Sequence, residues 1–203
     1  MYILYHFPYS QHARRVVSLM MEAELEYELR HVAMDKGEHR SAEYLAINPN
    51  HQVPTLVDGD VKIHESNAIL RYLCVKHGLD AWYPKALPAR AKVEQWLDWN
   101  QTRLSPTVVD IVLNSVFLAP AGDKTAVERG LSRLPELWSI LDAGLAGGTP
   151  FLAGSRPTIA DLSLASSVFQ LTLAKIVPDG RNAADWFQRV SKIEGFQKSL
   201  PTL

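Results

Sequence analysis

The chain has 203 residues, 47% of them hydrophobic and 21% charged, with a net charge of −1. That balance is an ordinary globular one, and near-neutrality offers no basic face to nucleic acid or to an anionic membrane. No apolar run approaches the roughly 18 residues that cross a bilayer, and the N-terminus lacks the charged head and apolar core of a signal peptide. The single cysteine, Cys74, excludes an internal disulfide framework and a CxxC redox pair, so a reducing compartment, the cytoplasm, is the simplest reading.

Residues 2–7 (YILYHF) are rich in β-formers and read as a short strand interrupted by Pro8. Between Gln11 and Ala23, the apolar residues Val16, Val17, Leu19, Met20 and Ala23 recur at helical spacing. Residues 27–33 alternate like a second strand, and a polar stretch then leads to a short helical piece, SAEYLAI, stopped by Asn48-Pro49. Residues 53–57 and 61–64 read as two strands, joined by an Asp58-Gly59-Asp60 hairpin turn. Residues 66–77 are helical, with Gly78 placed to cap the end. The order β-α-β-α-β-β-α predicts a small mixed sheet, begun by a parallel βαβ unit and covered by helices on both faces.

Residues 78–89 hold two prolines and no periodicity, and read as a linker after a first domain of residues 1–77. Beyond it no strand signal stands out. Residues 90–117 form a long helical pattern with a bend expected at Ser105-Pro106. Leu131, Leu134, Leu137, Leu141 and Leu145 keep helical spacing within residues 125–146, and Gly147-Gly148 closes that run. Thr158 opens another helix, and residues 183–190 and 195–200 give two short ones. Residues 90–203 therefore predict an all-helical domain.

Ser10 lies where the first strand gives way to the first helix. A serine there is commonly an N-cap, and the free N–H groups and positive dipole end of the helix also favour an anion, of which a thiolate is one. Val53-Pro54 sits between a turn and a strand, where a cis bond would leave the Val53 backbone open to an extended peptide ligand. Glu65-Ser66 opens the third helix. As a plain helix start it is a cap; functionally, Ser66 with the helix N–H groups suits a carboxylate, and Glu65 suits a neighbouring ammonium. The seven histidines show no metal spacing. Cys74 reads as a packed core thiol, and Trp96 and Trp99 as packing residues.

Together these segments resemble the glutathione transferase family over nearly the whole chain. YHFPYSQHARRV is similar to its serine-class signature, carried here by Pro8, Ser10 and Arg14. NPNHQVPTLVDG is similar to its NP-x-x-x-VP-x-L segment, and ESNAILRYL to its E/Q-S-x-AI-x-x-YL segment. RPTIADLSLA resembles the buried capping box of its second domain, with Thr158 as N-cap and Asp161 as the N3 partner. KGEH and WLDWNQTRL look like stretches of the theta branch. The resemblance implies a thioredoxin-like N-terminal domain and an all-α C-terminal bundle. It implies Ser10 as the catalytic donor to the glutathione sulfur, with Val53 pairing by backbone to the cysteinyl unit. Glu65 and Ser66 would hold the γ-glutamyl head, and His39 and Gln52 would lie near the glycyl carboxylate. Gln52 stands where the theta pattern commonly has lysine, which implies weaker glutathione affinity.

Tyr5 aligns with the catalytic tyrosine of other classes, and the sequence leaves open whether it assists Ser10. A further C-terminal helix, frequent in the theta branch, does not follow the last short helix, which implies a more open electrophile pocket. The expected protein is a cytoplasmic homodimer with a role in detoxification that uses glutathione as co-substrate and no metal. It would conjugate glutathione to small hydrophobic electrophiles, dehalogenation included. A glutathione-dependent isomerase or peroxidase, and a non-catalytic interaction module, are the alternatives. A cysteine-based glutathione oxidoreductase is disfavoured, because Cys74 is not at the strand–helix junction.

Overall fold

The computed structural model describes residues 1–201. They form two compact units: Met1–Asp80 with the chain from Ile193 onward, and Ala81–Lys192.

The first unit is built on strands β1 (Tyr2–His6), β2 (Tyr27–His31), β3 (Thr55–Asp58) and β4 (Val61–His64), in the spatial order β2-β1-β3-β4. β1 and β2 run parallel, as a strand–helix–strand connection requires, and the β1–β3 and β3–β4 pairs are antiparallel. Gly59, at φ 59°, makes the tight turn of the β3–β4 hairpin. Helices α1 (Gln11–Glu22) and α2 (Ala42–Leu45) lie between strands, and α3 (Ser66–His77) follows β4 to complete the α/β arrangement. Gly78 ends α3 in the left-handed conformation, with its N–H on the carbonyls of Cys74 and Val75. Leu4, Val16, Leu19, Met20, Leu56, Ile69, Leu70 and Leu73 are buried in the core, each contributing roughly 1.5–3 kcal/mol. The Cys74 thiol is buried with them, and burial pushes its pKa up to about 12, so it is an inert packing group at neutral pH.

The chain's last helix joins this unit. Helix α9 (Glu194–Lys198) lies on α1: the Gly195 N–H donates to Glu22 Oε1 at 2.5 Å, and the Ser18 and Ser199 hydroxyls bond at 2.8 Å. A Cβ on Gly195 would stand 2.6 Å from the Ser18 carbonyl oxygen, so this approach needs glycine.

The second unit is helical: α4 (Leu87–Trp99), α5 (Ser105–Val112), α6 (Lys124–Leu145), α7 (Ile159–Thr172) and α8 (Arg181–Val190). Helix α4 begins inside the segment that reads as a linker, because Pro88 sits in its first turn, where a missing N–H costs nothing. The expected bend at Ser105-Pro106 takes a different form. Residues 100–104 and 113–117 are π-helical, so the run from Leu87 continues through α5 with two local expansions. Trp96 packs edge-on against Trp99 at 5.3 Å between ring centroids. The capping box of α7 is present: Thr158 N–H donates to Asp161 Oδ2 at 2.8 Å, and the Thr158 hydroxyl accepts from Ala160 N. Asp161 also accepts from Leu152 N and Trp186 Nε1. Fully buried, its carboxyl is held above the usual carboxylate range by desolvation, against the pull of these donors.

Candidate active site

Sheet register decides which segments meet. Tyr5 pairs with Thr55, Thr55 with His64, and His6 with His31. The chain therefore leaves β1, β2 and β4, and enters β3, at the same end of the sheet. Ser10 follows β1, His39 follows β2, Gln52 and Val53 precede β3, and Glu65 and Ser66 follow β4. Residues far apart in sequence thus lie in four neighbouring connections at one end of the first unit.

Ser10 is the N-cap of α1, with extended backbone angles of φ −80° and ψ 116°. Its Oγ accepts the Ala13 N–H at 3.2 Å, and its own N–H donates to Phe7 O at 2.9 Å. Capping uses a lone pair of the hydroxyl and leaves its proton, which goes to no described residue. The first turns of α1 and α3 contain no acidic residue, so nothing in them neutralises the positive end of either helix. The neighbouring His12 is held neutral, its pKa lowered to about 3 by burial and by Arg15.

The strip before β3 is fixed from behind. Val53-Pro54 is cis, and among the described residues the Val53 N–H and C=O have no hydrogen-bond partner, which leaves both to a ligand. The preceding carbonyl, that of Gln52, accepts from Tyr44 Oη at 2.6 Å and from Asn48 Nδ2 at 2.9 Å. Tyr44 and Asn48 also reach Thr55 Oγ1, each at 3.0 Å. The Val53 side chain packs with Val32 and Tyr44, and Tyr5, Phe7, Met34 and Ile47 join that cluster.

Glu65 caps α3 at φ 70°, a conformation that non-glycine residues rarely adopt. Its side chain is exposed, whereas Ser66 is buried. The Ser66 hydroxyl bonds no described residue and remains available to a ligand. His39 lies in a 3-10 turn (Glu38–Arg40) with its ring 6.4 Å from that of His51. Its Nδ1 is buried without a partner. Burial, with Arg40 and His51 nearby, lowers its pKa and keeps the ring neutral at neutral pH. Gln52 is exposed.

Tyr5 is engaged elsewhere: its hydroxyl accepts from Arg30 Nη1 at 3.1 Å, and Arg30 Nε bonds Glu28 at 2.8 Å. Sequence reasoning missed Tyr44 and Asn48, and the buried bond from Arg15 Nη1 to Asn67 Oδ1 at 3.3 Å beside Ser66. Asn48 had a signal, since it opens the very segment that carries Val53; Arg15 had none, because a charged residue on a helix reads as a solvated one. A separate cavity of about 300 Å³ in the second unit, lined by Thr102, Arg103, Thr107, Arg133, Glu136 and Leu137, contains none of the predicted residues. Among the described residues, no group of three or more His, Cys, Asp or Glu side chains is placed to hold a metal, and no helix is long and apolar enough to cross a membrane.

A thioredoxin-like α/β unit followed in sequence by an all-helical unit is the fold of glutathione transferases, and the comparisons agree. Residues 1–74 match the model of the glutathione S-transferase N-terminal domain, and residues 124–189 that of the C-terminal domain. Glutathione S-transferase F10 of Arabidopsis thaliana is 33% identical, with 88% of this chain and 87% of the relative covered. Human glutathione S-transferase theta-2 is 36% identical, over 92% of this chain and 79% of the relative. A crystal structure of human glutathione transferase theta-2, in complex with glutathione and an unknown ligand, superposes with a TM-score of 0.88 and 32% identity, covering 98% of this chain and 86% of that one. The chain belongs to the glutathione S-transferase family, a family of transferase enzymes.

Proposed function

We propose that the protein is a serine-type, theta-like glutathione transferase in which Ser10 donates a hydrogen bond to the glutathione sulfur. The observation that carries this reading is the Ser10 hydroxyl itself. It is fixed by capping at the mouth of α1, with its proton uncommitted and no carboxylate in the helix's first turn. A free thiol titrates near ~8.5 and is about 3% thiolate at pH 7. Lowering the pKa by about 2 units needs roughly 2.7 kcal/mol and makes about three quarters of it thiolate. A charge-assisted hydrogen bond of about 1.5–3 kcal/mol, aided by the helix end, supplies that.

The geometry is compatible with the remaining contacts. The open Val53 N–H and C=O suit the cysteinyl backbone. The Ser66 hydroxyl and the α3 N-terminus suit the γ-glutamyl carboxylate, with Glu65 beside its ammonium. Neutral His39 and exposed Gln52 suit the glycyl end. Tyr5, held by Arg30, is not given a part in activating the sulfur. In the reaction the thiol proton leaves to solvent and the thiolate attacks an electrophilic carbon. A sulfur–carbon bond forms as the leaving group departs with its bonding pair, or as an epoxide oxygen takes that pair and a proton. In the second unit the exposed apolar residues Val109, Leu113, Val116 and Phe117 recur at helical spacing, a surface suited to small apolar electrophiles. The working form is a cytoplasmic homodimer without a metal.

Calorimetric titration with glutathione tests the reading, followed by turnover of an aryl halide, an epoxide, a hydroperoxide and a dihaloalkane. Binding below millimolar glutathione with transfer to at least one carbon electrophile is expected. Absence of binding at millimolar glutathione would refute it in favour of an interaction module, and turnover of the hydroperoxide alone would make the enzyme a peroxidase.

A further inference from the structure

Helix α1 contains two adjacent arginines, Arg14 and Arg15, that are 2% and 0% exposed. Guanidinium groups are almost never sealed from water without partners. Burial pushes both pKa values down to about 9, which leaves both charged at neutral pH. Arg15 Nη1 donates to Asn67 Oδ1 at 3.3 Å, a buried contact between residues 52 positions apart in sequence. Glu65 lies close enough for its charge to favour the guanidinium against desolvation. Glu65 and Asn67 are the two neighbours of Ser66. One of them is held at φ 70°, a conformation that persists only where surrounding contacts enforce it.

We propose that Arg15 is a positioning residue of the glutathione site: from inside α1 it holds Asn67, the residue after Ser66, and so fixes the head-group end of the site to the helix that begins at Ser10. The inference rests on the glutathione-site reading above and assigns it a residue that is not among the signature positions Pro8, Ser10 and Arg14. The guanidinium suits the task because its donors are spread over a rigid planar fork and present an N–H to the Asn67 amide oxygen in a fixed direction. A lysine would keep the charge and lose the fork. Ser66 is the beneficiary, since its buried hydroxyl has no internal bond to orient it and takes its position from the backbone between Glu65 and Asn67.

The test compares glutathione dissociation constants, kcat at saturating glutathione and thermal midpoints for Asn67→Ala, Arg15→Lys and the double variant. Each single variant should weaken glutathione about 3- to 10-fold, the range of one buried hydrogen bond, with kcat within about twofold of wild type. The double variant should bind no more weakly than the weaker single, because both remove one connection. A purely structural role would lower the thermal midpoint and leave the dissociation constant of the folded fraction unchanged; that result overturns the proposal, as does full additivity. If Arg15→Lys does not fold, Asn67→Ala alone decides by its dissociation constant. If the wild-type protein binds no glutathione, both readings fall. If it binds, and Ser66→Ala weakens it while Asn67→Ala does not, only this one falls.

Discussion

Asn48 is fully buried behind the Gln52–Val53 strip, and truncating it to alanine tests whether that strip is held from behind. Its Nδ2 donates to the Gln52 carbonyl at 2.9 Å and to Thr55 Oγ1 at 3.0 Å, and its Oδ1 accepts from the Asn50 N–H and side-chain amide. In Asn48→Ala, Gln52 O and Thr55 Oγ1 each keep Tyr44 Oη, and exposed Asn50 turns to water, so no buried group is orphaned. The loss is then about two net hydrogen bonds of ~1 kcal/mol each plus a small cavity, or about 2–3 kcal/mol. For a chain of this size that lowers the thermal midpoint by about 5–10 °C. The glutathione KM should rise several-fold while kcat changes little, because the sulfur end is untouched. Tyr44→Phe removes the second donor to Gln52 O, so the double variant should cost more than the sum of the singles, by about 1 kcal/mol or more. Denaturation curves and initial rates of the four proteins suffice. A change below about 0.5 kcal/mol in Asn48→Ala, or strict additivity with Tyr44→Phe, refutes the reasoning.

Further outcomes are expected. Ser66→Ala should raise the glutathione dissociation constant about 10- to 150-fold, since it removes one hydrogen bond to a charged group of about 1.5–3 kcal/mol, and calorimetry reads this directly. Asp161→Ala strips the buried N–H groups of Leu152, Thr158 and Trp186 of their acceptor, and should cost about 3–6 kcal/mol in chemical denaturation. Because the native pKa of Asp161 lies above its unfolded value, protonation of its carboxyl favours the folded state; that contribution is fully present below the ordinary carboxylate range and is lost as pH rises through the native value. The cost of Asp161→Ala should therefore be no smaller in mild acid than at neutral pH; a smaller cost there contradicts the assignment. Gly144→Ala would set a Cβ 2.4 Å from the Trp96 ring. A helix-propensity gain of about 1 kcal/mol opposes an overpacking cost of about 1–3 kcal/mol, so a net loss of about 1 kcal/mol is expected, and a gain in stability would show that the ring yields freely.

Local chemistry made much of the first unit legible. The Asp-Gly turn, the glycine after α3 and the strand alternation are each decided within a few residues, and Gly59 and Gly78 adopt the positive φ their positions demand. The capping box of α7 was equally readable, because Thr158 and Asp161 satisfy each other within one turn. What the sequence concealed depends on distant partners. The five-residue α9 joins α1 through Gly195, a packing no periodicity announces. The π-helical expansions at residues 100–104 and 113–117 leave no mark on a pattern that repeats every three to four residues. In the site, Ser10, Val53 and Ser66 stand in recognisable segments, but only the sheet register places those segments at one end. Arg15 and Asn48 hold their neighbours through buried bonds; Asn48 opens a recognisable segment, but nothing in the string of letters distinguishes Arg15 from a solvated side chain.

The sulfur's own ionisation, followed by ultraviolet absorbance of enzyme-bound glutathione as pH is raised, bears most directly on how this transferase works. With wild-type protein the bound thiol should titrate about 2 units below its free value of ~8.5; with Ser10→Ala it should return to within about half a unit of that value, at little cost in affinity. Equal titration midpoints for the two proteins would show that the hydroxyl at the head of α1 does not make the thiolate.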